Sequence, residues 1–339
     1  MLRKQYNQRI SQKEIDAPLY RITTKLHNQR KAVNEIVIPK LSSQDLIKTA
    51  APFKLSEDCI VLYDDKKHIY FYNTESGIRI PMISVTTLLH AFTEDFQEME
   101  MSVLCAKKED YDAENLIKPS SWNFMTVQDK ASKIREAWRK TNRVANEFGT
   151  FTHACMEDLI KNISKDPMNI FCEMSGRYDQ EEDVVILFME DMKEKYFHLF
   201  TKPHMQILAE PVIYDIGIRV AGQSDLIVLD HNFKRVHVMD YKTNKNKPGS
   251  KEDKSYSNMQ GIMGHLAKTN LNLYRLQVCL YQKFVMDMTG YSAGTNSLLW
   301  LNRDSGKIET IKVIPKDHIE DIDKIYTFIT DNKPQFGFV

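Results

Sequence analysis

Three acids recur at equal intervals in the middle of the chain: Glu210, Asp225 and Asp240, the last followed by Tyr241 and Lys242. Their surroundings read as three strands, AEPVIYDIG, IRVAGQSDLIVLD and KRVHVMDYKT, joined by turns near Gly217 and at His231-Asn232. In an antiparallel hairpin, opposed residues lie equidistant from the turn. A turn centred between Gly217 and Ile218 sets Glu210 opposite Asp225. One centred between Asn232 and Phe233 sets Asp225 opposite Asp240. Side chains alternate between faces along a strand, so Lys242 shares a face with Asp240. Carboxylates side by side repel unless something positive sits among them. A hard divalent cation, which takes oxygen ligands, is the occupant this pattern calls for. Such a centre suits chemistry at phosphate.

Several other elements must position this patch. Residues 1–50 are polar and are expected to be helical, and 59–72 predict a hairpin turning at 64–67. A helix is expected from Ser84, with Ser84 or Thr86 as its cap. Residues 126–160 read as helical, interrupted at Gly149, with a second helix over 150–160. A further helix is expected at 181–200, where Val184, Leu187 and Met192 supply an apolar side. The Lys-rich stretch 244–258 predicts a mobile loop. An amphipathic helix follows at 271–288, then a closing hairpin at 297–302 and 307–314, and a last helix at 318–329.

At 339 residues the chain can bury one large core or two smaller ones. Its 46 basic and 46 acidic residues balance, so any polyanion partner must be met by local charge and not by a global field. The five cysteines, Cys59, Cys105, Cys155, Cys172 and Cys279, form no CxxC pair, as expected of reduced thiols inside a cell. No apolar run is long enough to cross a bilayer, so no membrane partner is expected. The N-terminus lacks the apolar core of a secretory signal. It is basic and free of acids before Glu14, which leaves a mitochondrial leader as the alternative to the expected cytoplasmic location.

With the pieces in this order, the chain resembles a RecB-type nuclease of the PD-(D/E)XK superfamily. Gly149-Thr150-Phe151-Thr152-His153 matches the GTxxH helix start, and Glu210 matches the first-strand acid. Gly222-Gln223-Ser224-Asp225 matches GxxD, Asp240-Tyr241-Lys242-Thr243 matches the (D/E)xK motif, and Gln277 with Tyr281 matches the QxxxY helix. Each motif is weak alone; five in the family's order are specific. Ser84–Thr86 is also similar to an SVT element of mitochondrial and phage-type single-strand exonucleases.

The resemblance implies an α/β fold: a central mixed sheet of four or five strands flanked by the 150–160 and 271–288 helices. It implies a nuclease core over 146–339, preceded by a mainly helical region over 1–145 that carries a small hairpin and covers the substrate. It implies Mg²⁺, with Mn²⁺ as the alternative, held by Asp225, Asp240, the backbone carbonyl of Tyr241, Glu210 and His153. Lys242 would orient or deprotonate the attacking water and offset charge in the transition state. Gln277 and Tyr281, one helical turn apart, would position the scissile phosphate or hold Lys242. Glu157 would orient His153. A neighbouring branch carries an iron–sulfur cluster on four grouped cysteines; the scattered cysteines here imply none.

Two segments mix cations with aromatics as single-strand binding requires. One is the 126–143 helix with Trp138, Arg139 and Arg143, and Trp122 upstream. The other is the loop with Lys245, Lys247 and Lys251, followed by Tyr256. The competing reading of both is an ordinary solvated face. The expectation is therefore a metal-dependent DNA exonuclease acting on single strands or ends, in replication, recombination or repair, with proteins of those processes as possible partners and a phage as a possible source. A flap endonuclease on the same site, or a DNA-binding or assembly protein without turnover, are the rivals.

Overall fold

The computed structural model describes residues 12–34, 48–49, 61–64, 69–73, 78–180, 182–255 and 257–336. The turn expected at 64–67, Cys59, Tyr256 and the basic segment before residue 12 lie wholly or partly outside them. In chain order the elements are α1 (Gln12–Asn34), β1 (Lys48–Thr49), β2 (Val61–Asp64), β3 (Ile69–Asn73), β4 (Arg79–Ser84), α2 (Val85–Ala91), α3 (Glu98–Ala106) and α4 (Val127–Lys161). Then come α5 (Pro167–Tyr178), α6 (Val184–Phe200), β5 (Met205–Ala209), β6 (Val212–Asp215), β7 (Val220–Gln223), β8 (Leu226–Asp230) and β9 (Arg235–Lys242). The chain closes with α7 (Asn270–Thr289), β10 (Ser292–Asn302), β11 (Lys307–Val313) and α8 (Ile319–Asp331). The fold is mixed α/β. None of the described helices is long and apolar enough to cross a membrane.

The chain forms two compact units: the described parts of Met1–Glu94, Asp191–Asn302 and Lys307–Val339, and those of Asp95–Glu190 and Arg303–Gly306. The boundary expected at 145 falls inside α4. The break expected at Gly149 is absent too, because α4 runs on through it. A single glycine costs a helix about 1 kcal/mol, and here Phe148, Phe151, Thr152, Cys155 and Met156 are buried on either side of it.

In the first unit the strands form two sheets where one was expected, in the orders β1-β2-β3-β4-β7-β6 and β11-β10-β9-β8-β5. The hairpin registers are those expected: Val212 pairs with Gln223 and Leu226 with Met239. What differs is continuity. The first two strands of the expected meander each break, at Glu210-Pro211 and at Ser224-Asp225, so one long bent hairpin feeds both sheets. β9 pairs in parallel with β10 across the α7 crossover, as a βαβ connection requires.

Local chemistry explains the ends of the site-bearing elements. Ser84 caps α2 by accepting from the Thr87 N–H at 3.1 Å, and Thr269 caps α7 by accepting from Asn272 N–H at 3.2 Å. Gly290 ends α7 at φ 70°, the left-handed geometry that glycine supplies without strain. The α7 face carrying Leu276, Leu280 and Phe284 packs with Val236, Val238 and Leu298 of the sheet, with Leu88 of α2 and Phe92 just after it, and with Ile325 of α8. In the second unit α4 packs against α3 and α5.

One buried acid ties α6 to the far strand. Asp191 accepts from Ile308 N–H at 2.8 Å and pairs with Lys195 at 2.7 Å and Lys307 at 3.1 Å. Burial works against its charge, but these three donors outweigh it and hold the carboxyl below the ordinary carboxylate range. A depressed pKa stabilises fully above the unfolded value and ceases to do so as pH falls through the folded one. Asp191→Asn is therefore expected to cost about 2 kcal/mol near neutrality. In urea unfolding at a series of pH values the deficit should shrink only below the ordinary carboxylate range; a deficit independent of pH would contradict this reading.

Candidate active site

The acids gather where the bent hairpin passes from one sheet to the other. Backbone pairing survives the bend, because Glu210 N–H donates to the Asp225 carbonyl at 2.9 Å and Ser224 N–H to the Pro211 carbonyl at 3.2 Å. Glu210 adopts φ 49°, left-handed backbone that an L-residue bearing a Cβ visits at a cost of about 1–3 kcal/mol. Gln223 braces the strained residue by donating from Nε2 to its carbonyl at 3.1 Å. A carboxylate oxygen of Glu210 and one of Asp225 lie within 4.8 Å of each other. On the next strand, Tyr241 N–H donates to Asp225 Oδ2 at 2.5 Å, which locks that carboxylate against β9.

Asp240 is 2% exposed and forms an ion pair with Lys242 on the same face of β9. Lys242 then meets α7. Its Nζ lies 3.4 Å from Gln277 Oε1 and 4.0 Å from the centre of the Tyr274 ring. Burial alone would lower its pKa. The fields of Asp240, Tyr274 and Asp225 outweigh it and raise the pKa above the ordinary lysine value. Gln277 donates in turn from Nε2 to the Tyr281 hydroxyl at 3.1 Å. Gln277 thus stands between Lys242 and Tyr281. Burial, ahead of the neighbouring acids, pushes the Tyr281 hydroxyl upward and keeps it a neutral hydrogen-bonding group.

Two supporting residues were not singled out from the sequence. Tyr274 lies three residues before Gln277, on the same side of a helix, and that spacing was the available signal. Its hydroxyl donates to Asn244 Oδ1 at 3.0 Å, while the Asn244 carbonyl accepts from Trp300 Nε1 at 2.8 Å. Gly222, known only as the first letter of a motif, has a steric task. A Cβ there would stand 2.5 Å from Tyr281 Cε1.

The remaining expected residues belong to other elements. His153 sits on α4 of the second unit, and Glu157 one turn later pairs with Lys161 at 2.6 Å. Trp138 is anchored by its Nε1–H to the Tyr111 hydroxyl at 3.0 Å and edge-on to Phe96. Arg139 grips Glu98 with two bonds of 3.0 Å, and Arg143 lies 4.0 Å from Glu147. Lys245 and Lys251 are exposed, whereas Lys247 pairs with Glu309 at 2.7 Å. The loop expected to be mobile is tied down, since Asp253 accepts from Gly249, Asn270 and Leu271 N–H groups at 2.8–3.0 Å.

Carboxylate oxygens converging at a bend suit a hard divalent cation better than a soft one. Among the described residues of the first unit, Glu210 and Asp225 bring carboxylate oxygens close enough together to fit one. The family model of the PD-(D/E)XK nuclease superfamily matches residues 124–327, which is 204 of the 339 residues. No curated protein matches the chain.

Two predictions follow from the bend and its neighbours. Glu210→Asn keeps a residue that tolerates left-handed backbone and removes one of the crowded charges. Without metal it is expected to match or exceed the parent in urea-unfolding stability, by up to about 1 kcal/mol; a clear loss would show that Glu210 is structural. Gly222→Ala must displace Tyr281 and is expected to cost about 1–3 kcal/mol as an overpacked site. An unchanged melting temperature would contradict the contact.

Proposed function

The chain belongs to the PD-(D/E)XK nuclease superfamily, and within it we propose a metal-dependent deoxyribonuclease that digests DNA from single-stranded ends. Membership implies a nuclease and, with it, a divalent metal. The observation that carries the finer reading is the convergence of Glu210 and Asp225 beside Asp240, with Lys242 held on the same face by Asp240 and Gln277.

Asp225, Asp240, Glu210 and the Tyr241 carbonyl are proposed to hold Mg²⁺, with Mn²⁺ as a substitute. His153 is proposed as a further ligand from its place in the GTxxH motif. When bound, such an ion lowers the pKa of water and neutralises charge on phosphate. The chain supplies the rest. Lys242 presents its ammonium to the negative charge that builds on the phosphoryl oxygens, and because it is fixed by three partners it needs no reorganisation to do so. Gln277 sets its position, and Tyr281 sets Gln277. Lys242, whose charge depends on its pairing with Asp240, would serve as an orienting cation or, where that pairing is weakened, as a base. Lys245 and Lys251 at the loop surface are proposed to meet DNA phosphates.

Action on ends and single strands is supported by the resemblance to single-strand exonucleases at Ser84–Thr86 and by the helical 95–190 unit, beyond what strands and acids alone require. We propose that this unit handles the strand, in replication, recombination or repair.

The test uses labelled single-stranded, duplex and closed circular DNA with Mg²⁺, Mn²⁺ or EDTA. Metal-dependent release of short products from linear DNA, with circles spared, is expected. Asp225→Ala and Lys242→Ala should each slow it about 100-fold or more while melting as folded proteins. Near-parental cleavage by either variant would overturn the site; cut circles would replace end-dependent with internal action.

A further inference from the structure

The aromatic and basic side chains expected to meet a strand on α4 are already engaged within the second unit, Trp138 with Tyr111 and Arg139 with Glu98. A different surface of that unit is better suited. Residues 115–128 contain no acid, and they present Phe124 at 91% and Ile117 at 79% exposure. Nothing in core formation calls for a phenylalanine so exposed.

The segment is also built to hold Phe124 in place. Trp122 is buried among Ala106, Ala131 and Ile134. A 3-10 turn at Trp122–Phe124 follows it, closed by Trp122 N–H to the Pro119 carbonyl at 2.9 Å, Phe124 N–H to Ser121 at 2.9 Å and Met125 N–H to Trp122 at 3.2 Å. Lys118 and Lys130 stand over the Trp122 ring at 5.8 and 5.6 Å. Among the described residues neither ammonium is paired with a carboxylate. An exposed aromatic on a hydrogen-bonded turn, two residues from a tryptophan that gathers two cations without carboxylate partners, is the chemistry of a base-stacking platform flanked by phosphate contacts. A protein interface would instead deplete its centre of lysine.

We propose that Phe124, with Lys118 and Lys130, forms a binding site for single-stranded nucleic acid: Phe124 stacks on a base, and the two ammoniums meet the adjoining phosphates. The choice of ligand rests on the nuclease reading; the site itself does not depend on turnover. Duplex DNA keeps its bases stacked on one another and cannot use Phe124 in this way.

The test is fluorescence anisotropy of the full chain in EDTA, with labelled oligothymidylate and with a duplex. Phe124→Ala is expected to weaken oligothymidylate binding about tenfold, Phe124→Tyr to retain it, and duplex binding to change little. Lys118→Ala with Lys130→Ala should reduce the salt slope for the single strand by about 1.4. Parental affinity in Phe124→Ala, an equal loss on duplex, or no oligonucleotide binding by the parent would each overturn the proposal. So would a change of sedimentation coefficient in Phe124→Ala without DNA, which would assign the patch to a second copy of the chain. Cleavage separates the two readings. Intact metal-dependent digestion with Phe124-independent binding removes only the platform, and Phe124-dependent binding without digestion removes only the nuclease.

Discussion

Like charge crowded into a buried bend is the constraint on which the rest of this structure depends. Glu210 and Asp225 are brought together by hairpin register, Asp240 lies on the neighbouring strand, and burial strengthens repulsion among carboxylates. Two compensations are visible. The Tyr241 N–H and the Lys242 ammonium each meet one carboxylate, and the α7 side chains Tyr274 and Gln277 keep that ammonium where it is. Glu210 adds a strained, left-handed backbone. A fold selected for stability alone has no use for it. Strain beside crowded carboxylates is what a protein tolerates when a cation belongs there.

The architecture around the bend follows from holding these groups still. A hairpin that changes sheets at Glu210-Pro211 and Ser224-Asp225 turns its carboxylates out of a regular strand without ending the ladder. The βαβ connection through α7 returns a helix face to the same place, so Gln277 and Tyr281 come to rest against β9 and β7. Gly222 permits the second contact by lacking a Cβ. Farther along the β9–β10 pair, the ladder slips between Ala293 and Asn296. There Asn296 Oδ1 accepts from Val238 N–H at 3.3 Å and Gln282 donates to the Val236 carbonyl at 2.7 Å, so buried backbone groups stay satisfied beneath the site.

Much of this was legible beforehand. The pairing of Glu210 with Asp225 and of Asp225 with Asp240 could be read because turn residues mark both hairpin centres and side-chain alternation has a fixed period. The cap at Ser84 was an equally local signal. The division into two sheets was not, since nothing in AEPV or GQSD announces a bend that depends on the neighbouring strands. Helix α4 crosses Gly149 because burial on either side outweighs a weak local preference. Strand β4 contains Pro81, a residue that argues against a central strand, yet β4 pairs with β3 on one side and β7 on the other. The engagement of Trp138 and Arg139 by Tyr111 and Glu98 is a tertiary fact that composition cannot supply.

A divalent cation at the bend between the sheets would register in the melting temperature of the parent and of Asp225→Ala as Mg²⁺ or Mn²⁺ is raised against an EDTA baseline. An ion that binds the native state alone must raise stability with concentration. A saturable rise is expected in the parent and none in Asp225→Ala. A parent indifferent to both metals, or a variant that rises equally, would contradict it.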